Sequence, residues 1–448
     1  MSYIQKYIEE IPESRIAFID KRSIYSYAKL KNLKLQNKQI LEILVGSSVV
    51  INGRDRLEFA ILLSIMDGIV GKILFLPQDI EKSLHQKYYT EAHIQYEVFL
   101  ENDMLKYVVV DKDLSIKNKE QMMVSTEWII PTSGTTNNPK LVSHTFESLT
   151  KTTKLNIAIG ELYRWGLVFD IYRFSGIQVL LQSILSGSTL IITDSSQNIS
   201  QIVSFLVENR CNALSATPSF WRKVLMTKEA NDLEFKRITL GGEISDENIL
   251  KVLKRKYSES KISHIYASTE VGVGFSVTDC MAGFPTSYLD GKLKDIKMKI
   301  SSDGTLWIAP NNKGQKYLSD DKIYDNEGYI NTGDLVEIKN NRVYFLGRDS
   351  GAINVGGNKV QPEEIEQVLL SMDLISAAYV YAINNPMMGS LVCADIVLTK
   401  KIHDKKDVKM NIIRYCRDSL ENFKVPAIIK FVNELQTTQS GKLKRNKK

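Results

Sequence analysis

The chain has 448 residues, which exceeds the usual core of one compact domain and predicts two or three domains. Apolar residues make up 43% and charged residues 25%, as in folded globular proteins, and this composition excludes a mostly disordered chain. The formal net charge of +6 is small for this length, and no basic stripe with interleaved aromatic residues appears. We therefore expect small anionic molecules rather than nucleic acid as ligands.

The spacing of the cysteines and the length of the apolar runs indicate the cellular compartment of the protein. The four cysteines lie far apart without a C-x-x-C pair, which favours reduced thiols in a cytoplasmic protein over a disulfide framework or a zinc site. The amino-terminal segment lacks an apolar signal core, and polar residues interrupt the longest apolar run, at 177–192. Neither a signal peptide nor a membrane span is expected. The histidines suggest no metal or nucleophilic site, and His144 is expected to be structural.

From residue 47 to residue 265, short apolar runs alternate with segments of helical periodicity. VVIN, RDRLEFAILLSIMDG and KILFLP predict strand, helix and strand, and the same order returns in GLVFD, SGIQVLLQSILSG and STLIIT. Further units continue as far as KISHIY. Repeated β-α-β order predicts an α/β domain with mostly parallel sheets and helices on their faces.

Beyond Glu270 the pattern changes. Turn residues at 303–304 and 340–341 predict hairpins and hence a small antiparallel β subdomain. After residue 347 a smaller α+β pattern follows, with a helix beginning at Pro362 and the strands AAYVYAI, VCADIVL and IIKFV. The break between a large and a small domain is therefore predicted at 347–352.

The stretch PTSGTTNNPK, residues 131–140, concentrates hydroxyls, glycine and lysine. Such clusters are typical of solvated loops, but backbone N–H groups, hydroxyls and a lysine also suit a polyphosphate. A Walker loop would need glycine where Pro139 stands and Ser or Thr where Leu141 stands. A Walker nucleotidase is thus not expected, and the stretch alone leaves a solvated loop and a different phosphate loop open.

Five motifs taken together resemble the adenylate-forming superfamily, which includes acyl-CoA synthetases and peptide-synthetase adenylation domains. In chain order they are PTSGTTNNPK, YASTE at 266–270, NTGD at 331–334, GRDSGAINVGGNKVQPEEIE at 347–366 and QTTQSGKLKR at 436–445. The resemblance implies a large domain, a hinge and a mobile small domain, at residues 1–347, 348–351 and 352–448. The chain departs from the family pattern at Asn137, Leu141 and Gln436.

The resemblance also implies a nucleotide site and a catalytic set. The loop would hold the β and γ phosphates, residues 241–243 and Tyr266 the adenine, Asp334 the ribose hydroxyls, and Arg348 the ribose or a phosphate, with a surface ion pair as its alternative. The implied ATP-binding residues are Thr132, Ser133, Gly134, Thr135, Thr136, Lys140, Gly241, Gly242, Glu243, Tyr266, Asp334 and Arg348. The implied catalytic residues are Lys442, which would bridge the reacting carboxylate and α phosphate, Thr269, which would bond that phosphate, and Glu270, which would ligate Mg²⁺.

Rotation of the small domain between two half reactions is implied as well. Asp349 or Ser350 is the expected hinge residue, and Gly356 and Gly357 would line a tunnel for a pantetheine arm. A glycine turn is the competing explanation for that pair. Lys442 has its own alternative, a place in the solvated basic tail.

FDIYRFSG, residues 169–176, aligns with the segment beside the acyl pocket of acyl-CoA synthetases. Candidate pocket residues are Arg173, Thr217, Gly242, Gly272 and Gly274. Arg173 is expected to recognise a polar or anionic group of the acid, and an internal pair with Asp170 is the alternative. Asp170 itself resembles the ammonium-binding Asp of amino-acid adenylation domains, but its spacing to Gly187 fits acyl-CoA ligases of the o-succinylbenzoate type better.

The function implied is an ATP- and Mg²⁺-dependent acid–thiol ligase that forms an acyl adenylate and then a thioester with coenzyme A. The alternatives are transfer to the phosphopantetheine of an acyl carrier protein, adenylation of an amino acid, or nucleotide binding without catalysis.

Overall fold

The computed structural model describes residues 3–52, 55–111, 125–132, 139–310, 314–319, 321–385, 389–400, 405–437 and 442–443. Its strands are β1 Ile16–Ile19, β2 Ile24–Ser26, β3 Ser48–Asn52, β4 Lys72–Leu76, β5 Tyr96–Glu101, β6 Met104–Val109, β7 Glu127–Pro131, β8 Leu141–His144, β9 Arg164–Leu167, β10 Thr189–Ile192, β11 Ala213–Ala216, β12 Arg237–Gly241, β13 Lys261–Ser268, β14 Gly272–Val277, β15 Phe284–Pro285, β16 Ile296–Ile300, β17 Thr305–Pro310, β18 Lys316–Tyr317, β19 Ile330–Lys339, β20 Arg342–Arg348, β21 Ile353–Val355, β22 Asn358–Val360, β23 Ile375–Asn385, β24 Gly389–Leu398 and β25 Ile428–Phe431.

Its helices are α1 Ile4–Glu10, α2 Tyr27–Gln36, α3 Lys38–Ile43, α4 Arg56–Met66, α5 Lys82–Ala92, α6 Phe146–Thr150, α7 Ile157–Gly160, α8 Phe174–Ile184, α9 Ile199–Glu208, α10 Pro218–Leu225, α11 Glu247–Lys256, α12 Pro362–Leu370 and α13 Lys405–Ser419. Within the described ranges, no helix is long and apolar enough to cross a membrane.

Two mixed sheets form the large domain. One has the order β14-β13-β12-β11-β9-β10-β1-β2 and is parallel except at its two edge strands. The other has the order β18-β8-β7-β4-β3-β5-β6, with a parallel centre. Side chains from both sheets share one core with α4 and α8, whose apolar residues are almost all buried. The predicted α/β architecture is confirmed, with its β-α-β units divided between two sheets.

The predicted antiparallel subdomain is a five-stranded sheet in the order β15-β20-β19-β17-β16. Asn340 and Asn341 join β19 to β20 with φ of 47° and 62°, the left-handed pair that a tight hairpin turn requires. The pairing runs from this turn along both strands, shifts at a bulge between Leu335 and Val336, and ends with Asp334 opposite Arg348.

The carboxyl-terminal part has a separate core. Strands β23, β24 and β25 form one sheet, β21 and β22 form a hairpin, and α12 and α13 pack with them. Pro362 begins α12 as predicted, and Ile365 and Leu369 on its apolar face are fully buried. The limits of the domains and of the hinge stay predictions.

Candidate active site

A cleft of about 1270 Å³ lies where the carboxyl-terminal part meets the two large-domain sheets and the antiparallel sheet. Its walls include the segment after β12, the end of β13, Asp334 in the middle of β19, the end of β20, and Lys442. The carboxyl ends of parallel strands are the usual place for a ligand in α/β sheets. Thr132 at the base of the first motif and Lys442, which lies 310 positions later in the chain, thus reach one cavity.

Asp334, Tyr266 and Arg348 form a connected group at one end of the cleft. The Tyr266 hydroxyl donates to Asp334 Oδ2 at 2.5 Å, and Arg348 Nε donates to Asp334 Oδ1 at 3.1 Å. Burial, together with the Asp334 charge, holds the pKa of Tyr266 well above its usual range. Tyr266 therefore stays protonated and remains a hydrogen-bond donor at neutral pH.

Two phenylalanines fix the plane of Tyr266. Its ring stacks on Phe275 at 5.3 Å between centroids and on Phe345 at 5.2 Å, with interplanar angles of 12° and 2°. Gly274 allows this packing, since a Cβ there would lie 3.1 Å from the Tyr266 ring. Sequence reasoning missed both phenylalanines because the contacts arise from pairing across separate strands.

Thr269 and Glu270 occupy the turn between β13 and β14. Thr269 is buried, next to the fully buried His144, whose pKa burial lowers to about 4. Burial acts to lower the pKa of Arg348, but the charges of Asp334 and Glu270 help to raise it overall. Glu270 is therefore close enough to Arg348 to interact with it electrostatically, although neither Thr269 nor Glu270 lines the cleft itself.

The donor set fits a magnesium ion that a substrate helps to bind. Within the residues that the structure describes, no group of three or more His, Cys, Asp or Glu side chains could hold a metal by itself. Mg²⁺ commonly binds through one or two carboxylates together with substrate phosphates. The single carboxylate of Glu270 suits that mode, and its role as a ligand stays a prediction.

The described residues of the phosphate loop are its two ends. Thr132 N donates to Lys140 O at 2.9 Å, and Lys140 N donates to Thr132 Oγ1 at 3.1 Å, so the loop is closed at its base. Lys140 Nζ forms an ion pair with Asp321 at 2.8 Å. The predicted ligands Ser133, Gly134, Thr135 and Thr136 lie outside the described residues.

Lys442 enters the cleft beside Gly242. Gly242 has φ of +80°, and a Cβ on it would lie 3.0 Å from Lys442 Cε and 3.7 Å from the methyl carbon of Thr217. Burial is the main cause that lowers the pKa of Lys442, and the positive charge of Arg348 adds to it. Lys442 thus lies in the cleft, close enough to the Asp334 group to interact with it electrostatically.

Arg173 lies on the cleft wall at the start of α8. Its guanidinium donates to Asp79 Oδ1 at 2.7 Å and to the Thr132 carbonyl at 3.1 Å, and its Nε lies 3.9 Å from Asp170 Oδ2. These contacts support the internal pairing that the sequence left as the alternative, and they extend it to the base of the phosphate loop. Asp79 was missed because it lies far from Arg173 in the chain.

The other four acyl-pocket candidates do not form a single group with Arg173. Thr217 is buried behind Gly242 and caps α10 by accepting from Phe220 N at 3.0 Å. Gly272 has φ of +76°, and a Cβ there would lie 3.2 Å from Gln315 Nε2. Of the five candidates, Arg173 and Gly242 line the cleft, and their role toward an acid stays a prediction.

The predicted hinge and tunnel residues lie in turns. Asp349 and Ser350 form a short 3-10 helix after β20, and Ser350 lines the cleft. Gly356 and Gly357 join β21 to β22 with φ of +58° and +90°, so the turn itself requires glycine. A Cβ on Gly357 would meet no atom within 4 Å, and the space around it is open in this arrangement of the domains.

Comparison with known proteins places this geometry in context. Residues 72–318 match the family model described as AMP-binding enzyme, and residues 364–442 match the AMP-binding enzyme C-terminal domain. The curated 2-succinylbenzoate–CoA ligase of Bacillus pumilus is 26% identical over 72% of this chain and 68% of its own length. The protein of the same name from Staphylococcus aureus is 28% identical over 78% of this chain and 72% of its own length.

Solved structures share the fold over nearly the whole chain. The o-succinylbenzoate CoA synthetase from Bacillus subtilis, in complex with the acyl-adenylate intermediate OSB-AMP, has a TM-score of 0.70 at 19% identity and covers 99% of this chain and 97% of its own. The anthranilate CoA ligase AuaEII, in complex with anthranoyl-AMP, has a TM-score of 0.77 at 14% identity, covering 99% and 95%.

Proposed function

Because this chain belongs to the AMP-binding enzyme family and is an adenylate-forming acid–thiol ligase, we propose that its thiol is coenzyme A and that its acid is a small carboxylic acid activated by ATP. The carboxylate oxygen would bond to the α phosphorus as pyrophosphate leaves. The thiol would then attack the acyl carbon, and AMP would leave.

The observation that carries the proposal is the meeting of Asp334 and Lys442 in one cleft. Asp334 uses one acceptor site on each oxygen for Tyr266 and Arg348, and a carboxylate has about four such sites, so both oxygens can still accept from ribose hydroxyls. Lys442 brings positive charge to the same cleft, where two anions must approach each other. A site of this kind favours catalysis over nucleotide binding alone.

We propose that Glu270 holds Mg²⁺ together with the phosphates of ATP. The ion would supply positive charge to the phosphate oxygens and lower the repulsion between the two anionic substrates. Arg348 lies close to Glu270 and Asp334, and it would place a fixed cation beside the same phosphates. Ser133 to Lys140 would complete this positive surface through backbone N–H groups, hydroxyls and the lysine.

The acid is proposed from the curated relatives, which are named for 2-succinylbenzoate. Amino-acid activation has less support, because Asp170 is buried and its carboxylate faces the positive charges of Arg173 and Arg56. An ammonium group would have to displace those cations. A carrier-protein phosphopantetheine stays the alternative acceptor, and a cytoplasmic location stays a prediction.

The test is a pyrophosphate-release screen with 2-succinylbenzoate, other aryl acids, medium-chain acids, dicarboxylic acids and amino acids. We expect acid-dependent release with an aryl or dicarboxylic acid and thioester formation with free coenzyme A. Release that proceeds to a thioester only with a pantetheinylated carrier protein would reassign the acceptor. Absence of release with every acid would reject the proposed activity.

A further inference from the structure

Glu243 lies where the large domain meets the carboxyl-terminal segment. It follows Gly242 at the end of β12, and its two carboxylate oxygens accept from two backbone N–H groups. Oε2 accepts from Ser219 N at 3.0 Å, and Oε1 accepts from Leu443 N at 2.9 Å. Ser219 belongs to the large domain and Leu443 to the segment that carries Lys442, so one side chain connects the two.

The large-domain side of this connection is the capped start of α10. Ser219 is in the first turn of α10, where backbone N–H groups have no partner within the helix. Pro218 starts the helix, and Thr217 caps it through Phe220 N at 3.0 Å. The Glu243 carboxylate accepts from Ser219 N, a donor without a partner in the helix, and this bond fixes the position of the Glu243 side chain.

The carboxyl-terminal side has a second attachment to the same helix. Lys223 Nζ donates to Thr437 Oγ1 at 3.2 Å, and Thr437 pairs with Leu443 through an isolated antiparallel bridge. Burial is the main cause that lowers the pKa of Lys223, so this contact is partly shielded from water. The two residues of the bridge are thus held against α10 and the loop after β12.

We propose that Glu243 is a positioning residue that docks the Lys442 segment for adenylate formation and releases it when the small domain turns. The proposal rests on the proposed function. Lys442 has a long flexible side chain, so the position of its ammonium group depends on where its backbone is held. The bond from Leu443 N fixes the backbone one residue away, and reacting groups must be held within a fraction of an ångström.

The carboxylate is suited to a contact that is made and broken. A hydrogen bond to an ionised acceptor is stronger than one between neutral groups, and Glu243 keeps its bond to Ser219 N when Leu443 departs. The side chain would therefore stay in place for the next docking event. The place of Glu243 near the adenine stays a prediction, and its carboxylate contacts add a second role at the edge of the same cleft.

The first test compares E243Q with E247Q in separate half reactions. A glutamine offers one carbonyl oxygen where Glu243 offers two acceptors, so one of the two N–H groups loses its partner. We expect adenylate formation to fall roughly ten-fold or more, with thioester formation from a supplied acyl adenylate unchanged. Glu247 is the matched control, since its Oε2 accepts from Ala282 N at 2.9 Å within the large domain, and E247Q should leave both steps unchanged.

The second test measures docking without substrates. Spin labels at L162C and M410C, two exposed sites in the large and the small domain, would report the distance between the domains in a C280S background. E243Q should broaden or shift the distance distribution, and E247Q should reproduce that of the unsubstituted protein. This readout does not depend on the identity of the acid.

The two tests separate the inference from the proposed function. Failure of the unsubstituted protein to release pyrophosphate with any acid would reject the function, while the distance measurement would still test the docking contact. Equal loss of both half reactions in E243Q would overturn the positioning role, as would an unchanged distance distribution.

Discussion

Asp334 and Lys442 face the same cleft, but they are held there by different means. Asp334 lies on β19 opposite Arg348 on β20, and its other partner, Tyr266, is stacked between two phenylalanine rings. Lys442 lies on a short segment joined to the large domain by single contacts such as Leu443 N to Glu243. The Asp334 end is therefore built by strand pairing, whereas the Lys442 end depends on docking.

This difference assigns nucleotide binding to the Asp334 end of the cleft and the reaction with the carboxylate to the Lys442 end. A site fixed within one folded unit can bind the nucleotide in any orientation of the small domain. A lysine that arrives by docking can serve one step and be absent from the next, as gating by domain motion requires. Substitutions can therefore change one end of the cleft at a time.

The largest effects are expected at Lys442 and Gly357, which the resemblance assigns to different half reactions. Lys442→Ala should nearly abolish adenylate formation but still pass a supplied acyl adenylate to the thiol. Gly357→Leu should release pyrophosphate and accumulate adenylate but fail to form thioester, if the glycine turn approaches the pantetheine arm. Gly357→Ala carries the same strain at φ of +90° without the bulk, and it is the control for the backbone. Single-turnover measurements of each half reaction check this. Equal loss of both steps in both variants would indicate general disruption of the small domain.

The next effect concerns Glu270 at the fixed end. Glu270→Gln should slow pyrophosphate release by about a hundred-fold, because a neutral amide is a weaker ligand for a hard cation. Release rates measured across a magnesium titration would show the weaker dependence. A titration curve that matches that of the unsubstituted protein would remove Glu270 from the metal site.

A smaller effect is expected at Arg173, which contacts Asp79 and the carbonyl at the base of the phosphate loop. Arg173→Ala should weaken the binding of ATP and of acid together, each by roughly ten-fold, because the loop loses a charged hydrogen bond. Binding of both ligands by calorimetry is the measurement. A loss confined to the acid would restore the role in acid recognition that the sequence suggested.

His144 should affect activity least at neutral pH, because it supports the turn at Thr269 without lining the cleft. Burial lowers its pKa to about 4 from 6.5, so the unfolded chain binds a proton more readily. Stability is fully present above pH 6.5 and falls by up to about 3 kcal/mol as pH drops to 4. Denaturation of H144N at several pH values should show a flatter profile. The same slope in both proteins would assign the proton uptake elsewhere.

The sequence predicted what local patterns determine. The β-α-β order, the hairpin at Asn340 and Asn341, and the helix beginning at Pro362 depend on periodicity or on single turn residues, and all are present. The motif residues Tyr266, Asp334 and Arg348 were expected at one nucleotide site, and they lie in direct contact.

Pairings between distant segments escaped prediction. Strand β1 pairs with β10, far along the chain, and it is too short to show a clear alternation. The partners of Arg173 and Glu243 depend on how separate segments meet in three dimensions, which side-chain identity alone does not encode. The assignment of Glu243 to the adenine stays a prediction, and its contacts with Ser219 and Leu443 were not foreseen.

The difference between the two ends of the cleft is tested most directly by measuring ATP affinity and pyrophosphate release in Lys442→Ala and Asp334→Asn. We predict that Lys442→Ala binds ATP within about three-fold of the unsubstituted protein but releases almost no pyrophosphate. Asp334→Asn should bind ATP more weakly, by about 1.5–3 kcal/mol, and recover most of its release rate at saturating ATP. A loss of ATP affinity in Lys442→Ala as large as that in Asp334→Asn would contradict the account.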